Sequence, residues 1–210
     1  MDKNFAIFDM DGTLIDSMFF WKNLASEYLE SKGVKQIPED ILECIKPMTM
    51  SESAALFQRE FGLIGDPEAQ MNAMMDAHYS NDIPLKPGVA GYLQLLRSRG
   101  VRMCVASATA EPLMEACLKR LGVRDYFAFL LSCETVGAGK RSPLVYLESA
   151  KRLHAAPAEI AVYEDALYAV QTAKTAGFYV VGVYDDSAAK NWKTIEDTVD
   201  EVILNWEESI

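Results

Sequence analysis

Short, almost uninterrupted apolar runs recur along the chain at Phe5 to Phe8, Val101 to Ala106, Phe127 to Leu131, Ile160 to Tyr163 and Tyr179 to Tyr184. Runs of this length without polar alternation suit strands of a parallel sheet, whose two faces are both covered. Between them the apolar positions recur every three or four residues. Val89, Tyr92, Leu93 and Leu96 share one helical face between Pro87 and Gly100, a proline at the start and a glycine at the stop. A second helix is expected from Glu111 through Cys117 and Leu118 to Gly122, and a third from Pro143, with Tyr146, Leu147, Ala150 and Leu153 inward. A fourth has the small face Ala166, Ala169, Val170, Ala173 and Ala176 before Gly177. Strand and helix in alternation predict an α/β fold with a doubly wound parallel sheet.

One connection breaks this rhythm. A parallel crossover needs about a dozen residues, which the Pro87 to Gly100 helix already provides, yet residues 16–84 intervene after the first strand. They carry helical patterns over Met18 to Leu29, Pro38 to Ile45, Ser51 to Phe61 and Pro67 to Tyr79. The expected organisation is therefore a core of residues 1–15 and 85–210, with an all-α subdomain of residues 16–84 inserted into it.

Composition narrows the partners. Half of the 210 residues are apolar and 24% are charged, with a net charge of −11, as in a soluble globular protein with a sizeable core. No apolar run approaches the roughly 18 residues of a membrane span, and no basic block offers a match to nucleic acid or anionic lipid. The cysteines Cys44, Cys104, Cys117 and Cys133 lack CxxC spacing, so they read as reduced thiols. Without a signal-peptide pattern in MDKNFAIFDMDG, the expected compartment is the cytoplasm, and the expected state is a monomer.

The chemistry is positional. Asp9 and Asp11 follow the first strand, Ser107 the second, Lys140 lies in the loop after the third, and Glu164 with Asp165 follows the fourth. In a parallel α/β sheet these ends share one edge, where ligands bind. Residues two apart on an extended segment project to the same side, so Asp9 and Asp11 can face one reacting group. Gly12 allows a tight exit. Converging Asp9, Asp11, Glu164 and Asp165 would repel one another without a cation, and an all-oxygen ligand set suits Mg²⁺. Plainer roles compete: Glu164 and Asp165 could compensate a helix N-terminus, and Ser107 and Thr109 could cap one. No GxSxG elbow, no Walker loop and no GxGxxG after the first strand is present. His78 and His154 read as structural or solvent-facing.

Taken together, FDMDGTLIDS, the SAT segment, Lys140 and YEDALYAVQTAKTAG resemble the haloacid dehalogenase superfamily, in its helical-cap, β-phosphoglucomutase-like phosphatase branch. The resemblance covers essentially the whole chain. It implies a Rossmann-like core with a mobile helical cap and Mg²⁺-dependent removal of phosphate from a small phosphorylated metabolite, which could be a sugar phosphate, through an aspartyl phosphate. It makes Asp9 the nucleophile, Asp11 the general acid/base, and Ser107, Ala108 and Lys140 the phosphate ligands. Asp9, the main-chain carbonyl of Asp11, Glu164 and Asp165 become the metal ligands. A sugar-phosphate mutase is the alternative. The mutase's cap arginine corresponds to Met50 here and its cap histidine to Trp21, so Trp21, Met48 and Met50 are the expected specificity residues, with Lys22 and Lys46 near them in sequence. Arg141 and Leu144 stand where the branch has a proline and an aspartate.

Overall fold

The computed structural model describes residues 3–45, 48 and 50–209. Among them, six strands form one parallel sheet: β1 (Phe5–Phe8), β2 (Arg102–Ser107), β3 (Phe127–Ser132), β4 (Ile160–Glu164), β5 (Tyr179–Val183) and β6 (Glu201–Ile203). Their spatial order is β3-β2-β1-β4-β5-β6, so the chain winds outward in one direction from β1 and then in the other from β4. The crevice at such a reversal is where α/β sheets bind ligands. Phe8 is in register with Val105 of β2 and with Tyr163 of β4, which brings the C-terminal ends of the three central strands level.

Both faces of the sheet are buried, which is why the strands lack polar alternation. On one face Ile7, Cys104, Val162 and Val180 pack with Val145, Tyr146 and Val170 from the crossover helices. On the other, Phe8 stacks on Tyr163 with ring centroids 4.2 Å apart, and Trp206 stacks on Tyr163 in turn.

The chain divides into two compact units, Met1–Ser17 with Ile83–Ile210 and Met18–Asp82. The second is helical: α1 (Met18–Ser31), α2 (Glu39–Ile45), α3 (Met50–Phe61) and α4 (Pro67–Asn81). Asp66 caps α4 by accepting from the Ala69 amide at 3.0 Å, and Pro67 takes the first helical position, where a missing N–H costs nothing. Within this unit Tyr28 stacks on Phe57, and His78 bridges Asp82 (2.8 Å) and Glu27 (3.2 Å). That environment raises the His78 pKa: burial lowers it, but the hydrogen bonds the ring donates to both carboxylates outweigh that. The sheet-bearing unit carries α5 (Val89–Ser98), α6 (Glu111–Arg120), α7 (Cys133–Val136), α8 (Leu144–Leu153), α9 (Leu167–Thr175) and α10 (Trp192–Thr198). No described helix is long and apolar enough to cross a membrane. The sequence pattern did not announce β6, α7 or α10.

Candidate active site

Two strand ends and one loop supply a buried charge cluster. Asp9 leaves β1, its amide donating to the Tyr163 carbonyl of β4 at 3.0 Å, so it stands beside Glu164 and Asp165 at the end of β4. Lys140 arrives from the loop between α7 and α8. All four side chains are buried. The Lys140 ammonium pairs with Asp9 Oδ1 and, at 2.7 Å, with Glu164 Oε1. Tyr146 of α8 donates its hydroxyl to the same Glu164 oxygen at 2.6 Å. Glu164 Oε2 is buried without a partner.

The charge balance of this cluster is unfavourable as it stands. One ammonium faces three carboxylates that each bring an oxygen within 4.8 Å of the others', and burial weakens the water that would screen them. Burial, then Glu164, push the Asp9 carboxyl well above its usual range, against the opposing pull of Lys140. Burial and Glu164 likewise raise Asp165 to about 7. Burial alone would lower Lys140, yet Asp9 and Glu164 hold it above its ordinary value. A divalent cation would supply the missing positive charge. The donor set is all oxygen and includes one orphaned carboxylate oxygen, which fits a hard ion such as Mg²⁺.

Asp11 faces elsewhere. Gly12, at φ +76°, turns the chain sharply, and the loop is tied by Gly12 N to the Ile15 carbonyl at 3.1 Å. The Asp11 carboxylate accepts from Ser17 Oγ (2.7 Å) on one oxygen. On the other it accepts from Thr109 Oγ1 (2.6 Å) and, more weakly, Ser107 Oγ (3.4 Å). Side-chain capping falls away for both helices. The N-cap of α6 is Ala110 and that of α9 is Ala166, neither with a side-chain cap bond. The hydroxyls of Ser107 and Thr109 therefore serve Asp11, with Ser107 Oγ also accepting from the Thr109 amide at 3.1 Å. Ala108 lies exposed in the bend between them.

Around this centre, Thr13 Oγ1 donates to Asp165 Oδ1 at 3.2 Å, and the Trp206 indole donates to the Thr13 carbonyl at 3.2 Å. Lys86 pairs with Asp185 at 2.7 Å. Although burial opposes it, the hydrogen bonds from Lys86 and Ser187 hold Asp185 below the usual carboxylate range.

The structure thus brings Asp9, Lys140, Glu164 and Asp165 together and sets Asp11 against Ser107 and Thr109. Trp21, Met48 and Met50 belong to the helical unit and are half-buried. The Trp21 indole donates to the hydroxyl of Tyr79 at 3.1 Å. Lys46 lies outside the described residues. Three side chains of the site escaped the sequence reading: Thr13, Ser17 and Tyr146. Thr13 and Ser17 lie within FDMDGTLIDS, and Tyr146 carried a signal of its own, a phenol on an apolar helix face, whose hydroxyl needs a buried partner.

Comparison with known proteins agrees with this geometry. A family model of haloacid dehalogenase-like hydrolases matches residues 4–177. The chain is 27% identical over 175 residues to the phosphorylated carbohydrates phosphatase of Thermotoga maritima, covering 82% of this chain and 81% of that one. It is 26% identical over 191 residues to the β-phosphoglucomutase of Bacillus subtilis, covering 85% and 82%. A solved structure of a candidate β-phosphoglucomutase from Thermotoga maritima superposes with a TM-score of 0.80 at 25% identity, covering 98% of this chain and 95% of that one.

Proposed function

The chain belongs to the haloacid dehalogenase-like hydrolase family, and from that premise we propose that this phosphatase removes phosphate from small phosphorylated metabolites through a phosphorylated Asp9. The observation that carries the reading is the separation of two carboxylates two residues apart. Asp9 is paired with Lys140 inside the acidic cluster, whereas Asp11 is held by hydroxyls outside it. Such a pair divides labour: one carboxylate attacks while the other handles the proton.

In this reading an Asp9 oxygen forms the bond to phosphorus as the ester oxygen leaves, and Asp11 gives that oxygen its proton. The ionised Asp11 then takes a proton from the water that attacks the aspartyl phosphate, which frees phosphate and restores both carboxyls. Lys140, the Ser107 hydroxyl and the amide of Ala108 hold the phosphoryl oxygens, where placed positive charge and donors are worth most. Asp9, Glu164, Asp165 and the main-chain carbonyl of Asp11 would hold Mg²⁺. When bound, the ion offsets negative charge on the phosphoryl group and the carboxylates around it.

We assign the choice of metabolite to the helical unit, a cap in function, with Trp21, Met48 and Met50 as its selecting residues. A phosphorylated carbohydrate with an uncharged or partly apolar end fits such side chains, and the Thermotoga maritima relative is named for carbohydrate substrates. A cytoplasmic monomer completes the proposal, and the four cysteines, none of them paired, suit that compartment. The test is phosphate release from a panel of monophosphorylated sugars and polyols, with β-glucose 1-phosphate plus a bisphosphate primer included. Conversion of that sugar to glucose 6-phosphate faster than phosphate release would make the enzyme a mutase, as the Bacillus subtilis relative is named.

A further inference from the structure

Tyr146 sits where a phenylalanine would serve packing equally well. Its ring lies in the apolar cluster on the α8 side of the sheet, edge-on to Phe178 at 6.1 Å between centroids. A hydroxyl there is costly unless it finds a partner. Its partner is Glu164 Oε1 at 2.6 Å, the oxygen that also accepts from Lys140 at 2.7 Å. A phenol donating to a carboxylate makes a strong, charge-assisted bond.

The consequence falls on the other oxygen. With Lys140 as sole partner, Glu164 could swing about its terminal torsion, which is broad and roughly two-fold. The second donor comes from a ring fixed by core packing, and it removes that freedom. Oε1 is held by two donors, and Oε2 is left buried and unpartnered on a carboxylate that shares the acidic cluster with Asp9 and Asp165. We propose that Tyr146 is a positioning residue whose hydroxyl fixes Glu164 with Oε1 on Lys140 and Oε2 free for the cation, an inference that rests on the Mg²⁺ site proposed above. The phenol remains a donor at any working pH, because burial and the neighbouring Glu164 charge push its ionisation well above the ordinary range.

The experiment is calorimetric titration of Mg²⁺ into substrate-free enzyme, paired with the Mg²⁺ dependence of p-nitrophenyl phosphate turnover. Wild type, Tyr146→Phe, Glu164→Gln and the double variant are compared. Tyr146→Phe weakens Mg²⁺ binding about tenfold, the scale of losing a partner behind a metal ligand, and lowers kcat at saturating Mg²⁺ by a smaller factor. In the Glu164→Gln background the same substitution changes Mg²⁺ affinity hardly at all, because no carboxylate remains to be fixed. Equal Mg²⁺ affinity in Tyr146→Phe and wild type, or the same loss in both backgrounds, overturns the positioning role and leaves the metal site standing. No Mg²⁺ binding by the wild type overturns both. Should the Tyr146→Phe chain fail to fold, 3-fluorotyrosine incorporated at position 146 gives the same answer. Its fluorine resonance shifts as Mg²⁺ is added, and a resonance unmoved at saturating Mg²⁺ overturns the proposal.

Discussion

The Thr109 hydroxyl donates to Asp11 Oδ2 at 2.6 Å, so the end of β2 grips the carboxylate that follows β1 and turns it away from the acidic cluster. In the proposed mechanism this leaves the Asp11 carboxylate to exchange the proton. Asp11→Asn should still release a burst of p-nitrophenolate, since that leaving group needs no proton. Its steady-state turnover should fall about 10²–10⁴-fold, the usual worth of general acid–base catalysis. Rapid mixing measures both, and an unchanged steady state would remove Asp11 from the proton role.

Lys140 is the ammonium that pairs with Asp9 and Glu164 within the acidic cluster they form with Asp165. Lys140→Met strips two buried carboxylates of their cationic partner, which typically costs about 3–5 kcal/mol. Urea denaturation in metal-free buffer should show a loss of that order together with loss of phosphatase turnover. Added Mg²⁺ should recover part of the stability and none of the turnover.

The acidic cluster also sets a pH dependence. Asp165 titrates at about 7 in the folded, metal-free protein against an ordinary value of 3.8, and Asp9 is shifted in the same direction. Folded carboxyls with raised pKa hold more protons than unfolded ones, so their contribution to stability falls as pH rises from about 4 to about 7 and then levels off. Asp165→Asn should flatten that part of the melting-temperature profile relative to wild type. Mg²⁺ should stabilise the wild type far more at pH 8 than at pH 5, because binding there displaces few protons. Parallel profiles for the two proteins would contradict the assignment.

Gly88 is held by the C-terminal segment. It sits at φ +85°, and a Cβ there would come within 2.5 Å of the Glu207 amide nitrogen and 2.7 Å of the Trp206 carbonyl carbon. Gly88→Ala combines a left-handed backbone penalty of about 1–2 kcal/mol with overpacking of about 1–3 kcal/mol. Denaturation should therefore show a loss of about 3 kcal/mol, and a neutral variant would mean that residues 206–207 do not clasp this turn.

The parts of this molecule legible in its sequence are those with a strong local signal. β1, β2, β3, β4 and β5 lie in apolar runs with both faces covered. α5, α6 and α9 carry one apolar stripe between proline or acidic starts and glycine stops, and α8 carries one from Pro143 to a left-handed His154. β6 escaped because it is three residues long and includes the charge of Glu201, and α7 because four residues give no period. At the site, strand-end position alone pointed to Asp9, Glu164 and Asp165, since the topology of a parallel sheet converts order along the chain into proximity. What it could not convey is orientation. That Asp11 turns to Ser17 and Thr109, or that Tyr146 reaches Glu164 across the core, depends on side-chain torsions set by packing between segments distant in sequence.

The proposed mechanism turns on Asp9 as the group that becomes phosphorylated. Reductive trapping of the enzyme during turnover, with borohydride to capture an acyl phosphate and mass spectrometry to locate it, tests this directly. Modification is expected at Asp9, requiring both substrate and Mg²⁺ and disappearing in Asp9→Asn together with turnover. Trapped modification at a different residue, or Asp9→Asn retaining more than about a tenth of wild-type turnover, a loss of less than about 1.4 kcal/mol in transition-state stabilisation, would contradict it.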